Sequence, residues 1–171
     1  MMKVLTDITG FERRKLHCID CNDDISKVFL ASKLIGELRS RYCTSVAYFS
    51  TRGTAKDIEA LQEGYSGLVG SLYAENLENL DCLELCDRIE EMVSKRFVRA
   101  IIIDSIDGLD IRDFEGGTRA RRDEIKTNLY LLAVSCNIPI LLFCPHRKTC
   151  KYDSGIDPFL AEILPQMSQE E

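Results

Sequence analysis

No apolar run in the 171-residue chain approaches the roughly 18 residues needed to cross a bilayer. The N-terminus likewise lacks the charged, apolar and small-residue progression of a secretory leader. These two absences argue against a membrane partner and for a cytoplasmic chain. Basic charge is also scarce. Lys and Arg number 22 against 28 Asp and Glu, for a net charge of −6. Broad, sequence-independent binding of nucleic acid needs a basic surface, so that class is excluded, although a local basic loop is not. There is no internal repeat and no low-complexity tract. With 45% hydrophobic residues, the chain has enough apolar surface for one core and one domain spanning 1–171. Residues 1–14 form a lead-in and 166–171 a frayed acidic tail. Eight cysteines in a reducing compartment read as reduced core residues rather than a disulfide framework.

Apolar runs and helical periodicities alternate along the chain. Leu16 to Ile19 is a short strand, Ser45 to Ser50 a second, and Leu68 to Tyr73 a short additional one. Val98 to Asp104, with Ile101-Ile102-Ile103, is the plainest strand, and Ile138 to Cys144 is the last. Between them, Ile25, Val28, Phe29, Ile35 and Leu38 share one helical face, with Asp23 or Asp24 placed to cap it. Thr54 to Gly64 reads as a second helix. Leu80 to Lys95 is a third, with Cys82, Leu85, Cys86, Ile89, Met92 and Val93 on its core stripe. Asp107 to Thr118 is a polar, glycine-containing loop. Ile125, Leu129, Leu132, Ala133 and Cys136 mark a further core-facing helix, and a short helix covers Pro158 to Leu164. Strands that are apolar throughout, alternating with helices, predict a three-layer α/β fold. Its sheet is mostly parallel, has four to five strands and is flanked by helices on both faces. Ligands of such sheets sit beyond the carboxyl ends of the strands. Here those ends are Asp20 to Asp24, Ser50 to Gly53, Asp104 to Asp107, and Cys144 to Lys148.

The most telling absence is local. After the first strand, where a nucleotide-binding α/β protein carries a glycine-rich phosphate loop, there is no glycine between His17 and Ile35. Such a loop needs glycines so that backbone N–H groups can approach phosphate closely.

In order and spacing, the chain from about residue 9 to 148 resembles the RecA-like ATPases. Within them it is most similar to the motor domain of DnaB-type replicative helicases. Thr9-Gly10-Phe11, Val46-Ala47-Tyr48-Phe49-Ser50, Ile101-Ile102-Ile103-Asp104, and Glu124-Ile125 leading to Asn137-Ile138-Pro139-Ile140 carry the resemblance. It implies a phosphate loop at Cys21 to Val28, a Walker-B-like aspartate at Asp104, a catalytic base after the second strand, and a polar sensor after the last.

The departures all fall on this chemistry. The loop positions are Asn22, Asp23, Asp24, Ser26, Lys27 and Val28. Lys27 is in place, but Val28 stands where a metal-holding hydroxyl is needed. Asp20, Asp23 and Asp24 put negative charge where triphosphate would sit, at on the order of 1–4 kcal/mol for each uncompensated contact. Arg52 occupies the position of the base and cannot take a proton at ordinary pH. Cys144 and His146 replace the polar sensor. The later region, on which such helicases carry an inter-subunit arginine, is not reached, so no ATP-dependent hexamer is expected. As cap residues, Asp23 and Asp24 have a sound structural role at a helix N-terminus.

Two further groups invite chemistry. Cys21, Cys144, His146 and Cys150 would converge if the first and last strands are neighbours, as the resemblance implies, and four soft ligands suit zinc. Their spacing matches no established finger, and no metal is expected. Arg112, Arg119, Arg121 and Arg122 surround the loop that faces single-stranded DNA in the resembled helicases. Acidic residues interleave with them, and Phe114 is the sole aromatic there for base stacking. The sequence therefore reads as a degenerate, DnaB-helicase-like ATPase domain without hydrolysis. It would serve as a binding or regulatory module, linked to DNA replication or a mobile element and working through protein partners. No cofactor is expected. The alternatives are a genuine ATP binder or weak ATPase using Lys27, Asp104 and Mg²⁺, and a metal- or thiol-dependent protein.

Overall fold

Three consecutive isoleucines can all be buried only if their strand is covered on both faces. That is how Ile101–Ile103 sit in the computed structural model, which describes residues 12–21, 31–36, 38, 39, 44–51, 63, 71–76 and 80–145. In chain order the elements are β1 (Leu16–Cys21), β2 (Val46–Ser50), β3 (Leu72–Asn76), β4 (Leu80–Asp81), α1 (Cys82–Arg96), β5 (Ala100–Asp104), β6 (Leu109–Asp110), α2 (Thr118–Cys136) and β7 (Ile140–Pro145). A 3₁₀ turn spans Ile106–Gly108, and residues 31–36, 38 and 39 are helical. Five strands form one parallel sheet in the order β1-β7-β5-β2-β3. A separate parallel pair joins β4 to β6.

Alternation along the strands sorts the core into two layers. Ala47, Phe49, Ile101, Ile103, Ile140 and Leu142 face α1 and α2, meeting Leu85, Ile89, Ile125 and Leu129. Val46, Tyr48, Ala100, Ile102, Leu141 and Phe143 face the other way, onto Ala31, Leu34, Ile35 and Leu38. The predicted three-layer α/β architecture is therefore present. So is the adjacency of first and last strands, with Leu16 paired to Ile140 and Cys21 to Pro145.

The helix ends are set by local chemistry. The Asp81 side chain accepts from Leu83 N–H at 2.9 Å and Glu84 N–H at 3.4 Å, capping α1. Phe97 closes α1 in the left-handed region at φ 56°, and Asn137 closes α2 at the same angle. Cys82 is buried and Cys86 half-buried against the core, as their one-turn spacing predicts.

Three expectations shift. The third strand lies at Leu72–Asn76, starting four residues beyond the start of Leu68 to Tyr73, because its place is fixed by register with β2, Val46 opposite Leu72. The Asp107–Thr118 loop is partly ordered. It contains the end of the 3₁₀ turn and then β6, where Leu109 tucks in beside Leu80. The helix expected from Leu80 begins at Cys82, since Leu80–Asp81 pairs as β4 and Asp81 becomes the cap. The helices expected from Ile25 to residue 30, over most of Thr54 to Gly64, and at Pro158 to Leu164 lie outside the described residues, as does the acidic tail.

Candidate functional site

The carboxyl ends of five parallel strands meet at one edge, and the described residues build a polar cluster there. Register places Asp104 beside Ser50 and Ser50 beside Asn76, three oxygen-bearing side chains on neighbouring strands. Asp104 is only 6% exposed, and its Oδ2 accepts from the Tyr48 hydroxyl at 3.2 Å. The Asn76 Oδ1 is buried without a hydrogen-bond partner among the described residues. Carboxylate, hydroxyl and carboxamide oxygens are hard donors, suited to a hydrated divalent cation or to a donor N–H.

Next to this row, Thr51 ties β2 to the chain leaving β5. Its N–H donates to the Asp104 carbonyl at 2.6 Å. Its hydroxyl lies 3.0 Å from the Asp104 carbonyl oxygen and 2.9 Å from that of Ser105, and accepts from Ser105 N–H at 2.8 Å. The Asp104–Ser105 peptide is cis. Gly108 closes over Thr51 so tightly that a Cβ there would fall 2.0 Å from Thr51 Oγ1. The sequence reading missed this junction, because nothing in a polar segment marks one glycine as packed against a threonine 57 residues earlier.

The arginines all follow β6 in the chain. Arg119, Arg121 and Arg122 lie in the first turns of α2, and Arg112 lies in the segment after β6. Arg122 engages Asp107 through both Nε, at 3.1 Å, and its terminal nitrogen. Arg121 pairs with Asp110 at 3.1 Å and Arg112 with Glu84 at 2.5 Å. The Arg112 N–H also donates to Asp81 Oδ2 at 2.8 Å, and this bond is the main reason the Asp81 carboxyl is held below its ordinary range. Arg119 is exposed.

Of the cysteine group, Cys144 is buried, and its thiol lies 3.7 Å from the Leu142 carbonyl. Cys21 ends β1 beside Pro145. His146 and Cys150 lie outside the described residues, as do Asn22, Asp23, Asp24, Ser26, Lys27, Val28 and Arg52. Among the described residues no three His, Cys, Asp or Glu side chains converge as a metal site. No described helix is long and apolar enough to cross a membrane.

No family model matches the chain, and no curated protein matches it. Solved structures do. An ATPase domain, solved as such, superposes with a TM-score of 0.66 at 12% identity, covering 90% of this chain and 72% of that one. A DnaB-like replicative helicase, solved for its interactions with primase, superposes at 0.64 and 12% identity, covering 81% of this chain. The fold is RecA-like, the architecture shared with these two structures. This chain spans 40% of the length of that helicase. At 12% identity the likeness carries architecture and no chemistry. In this RecA-like frame Asp104 ends a buried central strand, Ser50 ends the strand beside it with Thr51 just beyond, and Cys144 stands near the close of β7.

Proposed function

We propose that this chain is a DnaB-like domain that has given up ATP hydrolysis and works as a binding or regulatory module for a protein of DNA replication or of a mobile element. The observation that carries the reading is the state of the strand ends. Thr51 commits its hydroxyl and its N–H to the backbone around Asp104 and Ser105, and Asp104 takes the Tyr48 hydroxyl. A hydrolytic site instead presents a base and a metal-holding hydroxyl to phosphate. On the sequence side, the stretch from Asn22 to Val28 offers neither a glycine nor that hydroxyl, and Arg52 stands where the base would be. Thr51 and Tyr48 thus serve the backbone and the carboxylate at the end of β5, a structural role at the sheet edge that leaves the outer surfaces to do the binding.

Titration calorimetry with ATP and Mg²⁺ tests this directly. The expected result is no saturable heat at millimolar nucleotide and no phosphate release above a blank. Micromolar affinity at physiological Mg²⁺ would overturn the proposal and favour the second reading, an ATP binder using Lys27 and Asp104. One observation supports that alternative: the carboxylate of Asp104 sits with Ser50 and Asn76 at the ligand-binding edge of a RecA-like sheet.

A further inference from the structure

Arg122 looks like a surface arginine in sequence, yet its side chain is 15% exposed and that of its partner Asp107 is 17% exposed. From this pair an unbroken line of contacts leads to the strand ends. Asp107 is the middle residue of the 3₁₀ turn Ile106–Gly108. Gly108 N–H donates to the Ser105 carbonyl at 3.1 Å, and its Cα faces Thr51 with no room for a methyl group between them. Thr51 in turn holds the backbone of Asp104 and Ser105. Two guanidinium nitrogens of Arg122 converge on one oxygen, Asp107 Oδ1, in a planar arrangement that a lone ammonium does not offer.

We infer that Arg122 is a positioning residue: through Asp107 it seats the 3₁₀ turn on Thr51 and so fixes the Asp104 end of the polar row. Arg122 therefore faces inward, whereas its neighbour Arg119 is exposed to solvent. The inference concerns how this sheet edge is held together, beyond the proposed function, and its test is independent of nucleotide. ATP binding can come out either way without deciding it.

The test is amide hydrogen exchange, followed by NMR on the full chain, in Arg122→Gln, Arg122→Lys, Asp107→Asn and the double variant Arg122→Gln/Asp107→Asn. The Thr51 and Ser105 amides should each lose protection about tenfold in Arg122→Gln, while Leu85 and Ile89 in α1 keep theirs. Asp107→Asn should reproduce that pattern, and the double variant should add little to either single one, the signature of one shared interaction. Arg122→Lys, which keeps the charge but offers one nitrogen in place of two, should recover only part of the protection. Unchanged exchange at Thr51 and Ser105 in folded Arg122→Gln would overturn the inference. So would an equal loss at Leu85 and Ile89, which would make the pair a general prop. Should Arg122→Gln fail to fold, the same readouts on Asp107→Asn and Arg122→Lys decide between these outcomes.

Discussion

Replacing Gly108 with alanine probes the junction on which the strand ends depend. The added Cβ would lie 2.0 Å from Thr51 Oγ1 and 2.1 Å from Thr51 Cβ. Carbon and oxygen settle at about 3.5 Å or more, so the two segments must part by over an ångström. Thr51 is only 6% exposed, and its hydroxyl accepts from the Ser105 N–H and lies within 3.0 Å of two carbonyl oxygens to which its one hydrogen can be donated. Water has little access to replace those bonds. Overpacking of this kind costs about 1–3 kcal/mol, and a buried polar group left unpaired costs about as much again. Against this, alanine restricts the unfolded chain and returns about 0.4–1 kcal/mol. The net expectation is a loss of about 2–4 kcal/mol, or roughly 4–16 °C in Tm for a chain of this size. Urea unfolding followed by circular dichroism measures it, with the m-value unchanged. Gly117→Ala is the control. Nothing lies within 4 Å of a Cβ at that position, so its cost should stay below about 1 kcal/mol. If Gly108→Ala unfolds within about 0.5 kcal/mol of wild type, or if Gly117→Ala costs as much, the packing argument is wrong.

Three other expectations concern separate parts of the chain. The Asp81 carboxyl is held below its ordinary value by the Arg112, Leu83 and Glu84 N–H groups, so its stabilisation is complete above the unfolded pKa of about 3.9 and fades as pH falls through the lower folded value. Asp81→Asn should cost about 1–2 kcal/mol at neutral pH and flatten the acid limb of a stability curve recorded from pH 7 to 2; parallel curves for the two proteins would refute the assignment. Phe97 ends α1 at φ 56° while 67% exposed, a conformation that penalises any side chain by about 1–2 kcal/mol. Phe97→Gly should therefore raise the urea midpoint, the gain being reduced by a lost ring contact with Arg99, and a lower midpoint would show that the ring matters more than the strain. Finally, elemental analysis of untagged protein should find no stoichiometric zinc, and one zinc per chain would revive Cys21, Cys144, His146 and Cys150 as ligands.

What could be read from the sequence was whatever repeats with a period. The isoleucines at 101–103 and the run from Ile140 to Phe143 are apolar on both faces, which demands a parallel sheet buried between layers, and the sheet is built that way. The core stripes of α1 and α2 follow from their 3.6-residue spacing. The glycine-free stretch after β1 and the arginine at position 52 are likewise facts of sequence alone.

Tertiary structure decided the features without a period. The pairings of two-residue strands β4 and β6 leave no pattern to detect, and the place of β3 came from its register against β2. Asp81 carries no mark that it will cap one helix and also hold a backbone amide 31 residues away. Thr51 and Gly108 meet only because two strand ends are neighbours in the sheet, and Arg122 and Asp107 because a helix returns past a turn. Periodicity fixes which side of an element is buried. Which residues then touch depends on how the buried sides are stacked, and contacts between single residues far apart in sequence have no local signal.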